Sequence, residues 1–180
     1  MSRIGKQIIP IPENVKITFT GSRILVDGPL GSLSRVMPFL IRCSVDEENN
    51  SLILEKTEDT KLARVLYGLS RTLIANMFKG VTVGFEKRLL MTGVGYRAEL
   101  NNSTLILYVG YSHPLKMVIP LELVIRLESP TSFVVFGMVK SEVGNFAARI
   151  RAISPSDPYK GKGIAYEDEI IKRKAGKTGK

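Results

Sequence analysis

The chain has 180 residues, 44% of them hydrophobic, and 26 Lys and Arg against 17 Asp and Glu give it a net charge of +9. That is enough apolar material for one ordinary domain or two small ones, and the basic balance points to nucleic acid or an anionic surface as partner. No apolar run reaches the roughly 18 residues of a membrane span, the first residues run into Pro10 and Pro12 without the apolar stretch of a secretory signal, and a single cysteine, Cys43, with a single histidine, His113, cannot build a zinc site.

An intracellular protein without metal is therefore expected. Residues 15–19 and 23–27 alternate as strands around a turn at Gly21-Ser22, and a second strand pair turns around Asn49-Asn50. Within that pair Cys43 alternates as a buried, inert thiol. A helix follows from a cap at Asp59 or Thr60, with Leu62, Val65, Leu66, Leu69, Leu73 and Met77 in one apolar arc. Lys61, Arg64, Arg71 and Lys79 lie away from that arc, as a solvated basic face or as a patch that meets phosphate.

The helical pattern stops at glycine within residues 79–84, where a domain boundary is expected. Residues 88–100 and 104–109 then read as a hairpin turned at Asn101-Asn102, with Gly93 and Gly95 marking a bulge or a close backbone approach. A shorter helix, opened by Ser141, turns Val143, Phe146, Ala147, Ile150 and Ile153 inward and leaves Arg149 and Arg151 on its flanks. It must end near Ser154, because Pro155 bars its continuation.

These elements repeat at an offset of about 81 residues. Gly28-Pro29-Leu30-Gly31-Ser32-Leu33 falls opposite Gly110-Tyr111-Ser112-His113-Pro114-Leu115, Val36-Met37-Pro38 opposite Val118-Ile119-Pro120, and Ser51-Leu52-Ile53-Leu54 opposite Ser132-Phe133-Val134-Val135. Two copies are too few for a solenoid. The expected fold is α+β: two tandem similar domains, 1–81 and 82–154, each a mainly antiparallel sheet packed against one helix, followed by a basic C-terminal tail, 155–180.

The tail concentrates the charge. From Arg149 onward lie nine of the 26 cations, Arg149, Arg151, Lys160, Lys162, Lys172, Arg173, Lys174, Lys177 and Lys180, against Asp157, Glu167, Asp168 and Glu169. That is +5 of the chain's +9. Gly161 and Gly163 carry no side chain to hold the backbone off a phosphate, Lys160 and Lys162 can straddle one, and Tyr159 offers a stacking face or a hydroxyl. Such a tail is expected to order only when phosphates neutralise it; a merely solubilising extension is the alternative. Adjacent Glu167, Asp168 and Glu169 are expected to be solvated or paired with neighbouring lysines, and His113 to be a turn residue. No nucleophile elbow, Walker loop, zinc-protease helix or C-x-x-C occurs, and Gly93-Val94-Gly95 lacks the third glycine and following helix of a dinucleotide site.

The segment SDPYKGKGI at 156–164, the opening MSRIGK, GVGYR at 93–97, GYSHP at 110–114 and the closing GKTGK together resemble the bacterial-type ribosomal protein six family of the large subunit, over residues 2–180. The resemblance implies a non-enzymatic structural protein of two duplicated α+β domains, without cofactor or metal, that binds large-subunit rRNA near its 3′ end. It also implies a place beside the stalk base and sarcin-ricin loop, where translation factors dock, with neighbouring large-subunit proteins as partners and no membrane or homo-oligomer. By motif, Tyr159, Lys160, Gly161, Lys162 and Gly163 are the rRNA contacts it implies first. Arg149, Arg151 and the extension Lys172, Arg173, Lys174, Lys177 and Lys180 add phosphate-seeking charge. Gly93, Gly95, Tyr96 and Arg97, with Tyr111, Ser112 and His113, come second. Residues 153–157 depart from the more basic, proline-rich approach usual in the family, so no contact is carried over there. A start at MSRIGK fits a bacterial or organelle-encoded gene or a processed chain, hence a ribosome in bacterial cytoplasm or plastid stroma.

Overall fold

Short alternating runs separated by residues that tolerate positive φ produce hairpins, and this chain is built from them. The turns fall at Gly21, Asn50 and Asn102, with φ of 60°, 44° and 49°. The computed structural model describes residues 7–46 and 49–177. MSRIGK and the last three residues of GKTGK, Lys180 among them, lie outside the described residues. The chain divides into two units, Met1–Gly84 and Phe85–Lys180.

The first unit contains β1 (Ile9–Pro10), β2 (Lys16–Thr20), β3 (Arg23–Gly28), β4 (Gly31–Val36), β5 (Ile41–Asp46), β6 (Ser51–Lys56) and α1 (Lys61–Thr82). Its strands form two antiparallel sheets, ordered β2-β3-β4 and β1-β6-β5. Ile24 and Val26 of β3 and Leu52 and Leu54 of β6, each pair two residues apart, point into a core closed by Ile74, Met77, Phe78 and Val81 of α1.

The second unit contains β7 (Phe85–Thr92), β8 (Arg97–Asn101), β9 (Thr104–Tyr108), β10 (Leu115–Val118), β11 (Leu123–Ser129), β12 (Ser132–Gly137), α2 (Lys140–Ile153) and β13 (Gly163–Tyr166). Its sheets are ordered β10-β9-β8 and β11-β12-β7-β13. Leu89 and Met91, Leu105 and Leu107, Phe133 and Val135, and Ile164 meet Val143, Phe146, Ala147 and Ile150 of α2.

The duplication reaches individual hydrogen bonds. Val15 N–H donates to Pro12 O, and Tyr96 N–H to Gly93 O; Met37 N–H donates to Ser22 O, and Ile119 N–H to Ser103 O; Ile41 N–H donates to Pro38 O, and Leu123 N–H to Pro120 O. Each pair recurs at the spacing of the sequence repeat. Pro38 and Pro120 mark the same event, the passage of the chain from one sheet of its unit to the other. The α+β architecture with antiparallel sheets is therefore present, with the strands of each unit shared between two sheets.

Several local expectations are corrected. Residues 88–100 are not one interrupted strand: β7 and β8 belong to different sheets, and the turn at 93–96 separates them. The α2 helix starts at Lys140 after Val139, and no side chain caps it, so Ser141 is not its cap; Thr60 does cap α1, accepting from Ala63 N–H. The apolar arc expected for α1 is displaced by roughly a quarter turn at 100° per residue. Leu62, Val65 and Leu69 are 57%, 62% and 50% exposed, whereas Ala63, Ser70, Ile74, Met77, Phe78 and Val81 are buried. The position of β3 and β6 chose the inner face, and Ser70 and Gly80 within it carry no hydrophobic signal.

The largest correction concerns the tail, expected to lack a shape of its own. Its residues 163–166 form β13 and pair with β7 from Gly163↔Thr92 to Tyr166↔Leu89. Ile164 is fully buried. The strand gains a hydrogen-bonded edge and a place under α2, and these offset the ordering cost that a solvated segment could not meet. Ile164→Ala should destabilise the protein by about 2–5 kcal/mol, the usual cost of truncating a buried Ile, in urea unfolding followed by a probe in the second unit; an unstructured tail would show no change.

Candidate nucleic-acid interface

Residues 155–162 link α2 to β13, and both ends of this loop are fixed. Ile164 N–H donates to Ser154 O at 2.7 Å, so the strand crosses the chain just after the helix end. Only glycine fits at the crossing: a Cβ on Gly163, which has φ +135°, would lie 2.6 Å from Pro155 O. Inside the loop Asp157 N–H donates to Lys162 O at 2.7 Å and Gly161 N–H to Asp157 O at 2.8 Å. Asp157 Oδ2 accepts from Lys160 N–H at 2.9 Å. Backbone N–H groups of Lys160 and then Tyr159 hold the Asp157 carboxyl below the usual carboxylate range.

This framework places Tyr159, Lys160 and Lys162 outward, all exposed. Gly161 and Gly163 are buried instead. The space beside Gly161 is taken by the Arg173 guanidinium, 3.2 Å from where a Cβ would stand, and Gly163 faces Pro155 and Ser156. The two glycines thus permit close packing within the chain. Lys174 N–H donates to Pro158 O at 2.9 Å, so the segment after β13 folds back across the loop and sets Lys172, Arg173 and Lys174 beside it.

The turn after β13 is held by charge. Arg151 Nε donates to Glu169 Oε2 at 2.7 Å and its Nη2 contacts Oε1, while Tyr166 N–H donates to Glu169 Oε2 at 3.2 Å. Arg88 bridges Glu167 at 3.0 Å and Glu128 at 2.8 Å, and Lys87 meets Asp168 at 3.3 Å. The acidic trio therefore pairs with cations of β7 and α2, mostly arginines rather than the lysines of its own segment. All four carboxylates from 149 onward are engaged in holding the chain. Of the cations there, only Arg151 is in an ion pair with a described residue; Arg149, Lys160, Lys162, Lys172, Arg173, Lys174 and Lys177 are exposed and in none.

Two further loops meet the end of α2. Tyr111 donates its hydroxyl to Ile153 O at 2.9 Å, and the Tyr96 hydroxyl lies 3.5 Å from Ser154 Oγ. Tyr96 is half-buried, its ring 2.8 Å from the Cβ position of Gly93, so it braces the 93–96 turn; Val94 at the tip is 93% exposed. Tyr111, Ser112 and His113 are exposed. Arg97 is paired with Glu99 at 3.0 Å, with its guanidinium carbon 4.0 Å from the Tyr108 ring centre. Arg97 and Arg151 are thus each paired with a carboxylate of the chain, unlike Lys160 and Lys162, which are in no ion pair with a described residue. The part Asp157 plays in closing the loop was missed in the sequence; an Asp-Pro pair opening a turn was the available signal.

Among the described residues no cluster of His, Cys, Asp and Glu could hold a metal ion. Cys43 is half-buried rather than fully so, and desolvation pushes its thiol up to about 11. The cleft beside it is lined by Phe19, Arg23, Phe39 and Arg42, with no carboxylate among the described residues. In the first helix Arg64 pairs with Asp59 at 2.8 Å and Arg71 donates to Gln7 O at 3.4 Å, so part of that basic face is already engaged.

The family described as Ribosomal protein L6 matches two stretches of this chain, residues 11–84 and 92–167. Over all 180 residues the chain is 52% identical to Large ribosomal subunit protein uL6 of Trichodesmium erythraeum, 49% identical to that of Rippkaea orientalis and 50% identical to that of Synechococcus elongatus, spanning 99% of each relative. The second matched stretch includes the 155–162 loop, β13 and the first residue of the acidic turn.

The Arg151–Glu169 contact makes the site sensitive to acid. Arg151 first, then Tyr166 N–H, holds the Glu169 carboxyl below its ordinary value. Its stabilising contribution is full above the unfolded carboxylate pKa, about 4.3, and is lost as pH falls through the lower folded value. Amide exchange of residues 163–169 should accelerate over that acidic window more than exchange of β12, and Glu169→Gln should already show the faster exchange at neutral pH.

Proposed function

The chain belongs to the ribosomal protein L6 family, and on that premise we propose that it is a structural, non-enzymatic constituent of the large ribosomal subunit that binds large-subunit rRNA through the 155–162 loop and its basic flank. One observation supports this reading above the others: Asp157, Glu167, Asp168 and Glu169 are all engaged in holding the chain, while the lysines of the loop stand exposed and in no ion pair with a described residue. Such a surface keeps a net positive charge, because the single carboxylate within the loop, Asp157, is bonded to the backbone and forms no ion pair with Lys160 or Lys162. Phosphates supply the opposing charge at regular spacing, and release of their counterions drives the association.

In this function Lys160 and Lys162 meet phosphates, Tyr159 stacks on a base or reaches a sugar, and Lys172, Arg173, Lys174 and Lys177 extend the contact, with Arg149 at its margin. Gly161 and Gly163 serve by letting the loop close, and Arg151 by anchoring the turn behind it. The exposed loop residues Val94, Tyr111, Ser112 and His113 form a second contact region, framed by Tyr96, with Arg97 beside it. Because the loop is anchored before binding, less conformational freedom is lost on association than for a free tail. The two α+β units are then rigid blocks that hold rRNA helices and support the factor-binding region near the stalk base, beside neighbouring large-subunit proteins.

Two measurements test this. The protein should co-sediment with large ribosomal subunits at moderate salt; failure to do so would overturn the ribosomal reading in favour of a free nucleic-acid-binding protein. If roughly six phosphates are engaged, log affinity for rRNA should fall against log salt with a slope of about −5, and Lys160→Ala with Lys162→Ala should flatten it by about two units. An unchanged slope would remove these lysines from the phosphate contact.

A further inference from the structure

Asp157 is a carboxylate set within a surface otherwise made of cations. Simple electrostatics makes it a liability there, since a negative charge beside Lys160 and Lys162 weakens attraction for phosphate. Its contacts show a different use. Its backbone N–H and C=O close the loop onto Lys162 O and Gly161 N–H, and its side chain takes the Lys160 N–H at 2.9 Å. One residue thus receives or gives three hydrogen bonds spread over residues 160–162, the stretch that carries both lysines. Pro158 follows it, removing a backbone donor and limiting φ at the corner of the turn.

The opposite side of the loop is held as well. Arg173 occupies the space beside Gly161, and Lys174 N–H is bonded to Pro158 O. A change in the turn at 157–161 therefore displaces two sets of cations together, those of the loop and those of the segment folded back across it.

We infer that Asp157 is a positioning residue of the rRNA contact: its carboxylate does not touch RNA but holds the Lys160 backbone so that Lys160, Lys162 and Arg173 form one preset cationic surface. This deepens the proposed rRNA contact and rests on it. The physical consequence is a reversal of sign. Removing the carboxylate as an acceptor weakens binding to a polyanion even though a negative charge goes with it, because the lost pre-organisation exceeds the relieved repulsion.

The experiment is affinity for transcribed large-subunit rRNA between about 50 and about 200 mM salt, with the full chain and its variants. Asp157→Ala should bind about tenfold more weakly, the order expected when two long side chains must be ordered on binding, with a flatter salt slope. Asp157→Asn keeps an acceptor without the charge and should bind at least as tightly as the parent. Amide exchange of β13 in each variant separates a local change from loss of the strand, and if Asp157→Ala loosens β13, Asp157→Ser supplies a smaller uncharged acceptor for the same comparison. Equal or tighter binding by Asp157→Ala overturns the inference, as does weakening by Asn and Ser as large as that by Ala. The paired Lys160→Ala and Lys162→Ala variant is measured alongside: if its slope is unchanged the loop contact itself fails, whereas a flattened slope with a silent Asp157→Ala removes only the positioning role.

Discussion

The antiparallel pairing of β13 with β7 is the constraint on which the C-terminal half depends. To bring Ile164 beneath α2, the chain must leave the helix at Ser154, loop out and return across its own path within nine residues. Gly163 makes the crossing possible because any side chain there would meet Pro155 and Ser156. With the strand seated, the loop between them has two fixed ends, and the following turn lies within reach of Arg88, Lys87 and Arg151. Local sequence preference alone would leave these residues extended and solvated.

Charge is divided by the same constraint. The carboxylates after β13 lie toward β7 and α2, where arginines already stand, and Asp157 is used within the loop. Lys160, Lys162, Lys172, Arg173, Lys174 and Lys177 have no such partner among the described residues and remain exposed. A basic composition is thereby converted into a directional surface, since the opposing charges are turned to other contacts. Surface ion pairs of this kind contribute little energy singly, and their main effect here is to fix where the backbone runs.

The two units show how a duplicated unit diverges without losing its frame. The turns at Pro12 and Gly93, the contacts at Ser22 and Ser103, and the corners at Pro38 and Pro120 keep equivalent hydrogen bonds. They are set by backbone geometry, which many side chains can satisfy, so they survive slight residue identity. The strands next in line differ more: β1 spans two residues and β7 eight. A long β7 offers a second edge for β13 to pair with. The helices differ too, with 22 residues in α1 and 14 in α2.

Periodicity, turn residues and the internal repeat determined the class of fold, the hairpins at Gly21, Asn50 and Asn102, the helices and the end of α2 before Pro155, because each depends on interactions within a few residues. The motifs and the charge count likewise singled out 156–164 and its lysines. Which face of α1 is buried, the separation of β7 from β8, and the partners of Glu167, Asp168 and Glu169 were decided only by packing between elements distant in sequence. The same holds for the glycines of the signature: their lack of a side chain was legible, but not that Arg173 and the Pro155–Ser156 backbone would fill the space. A contact across a fold has no local periodicity to announce it, so the tail could be recognised as basic from its residues alone and as a seated strand with a preset loop only from the folded chain.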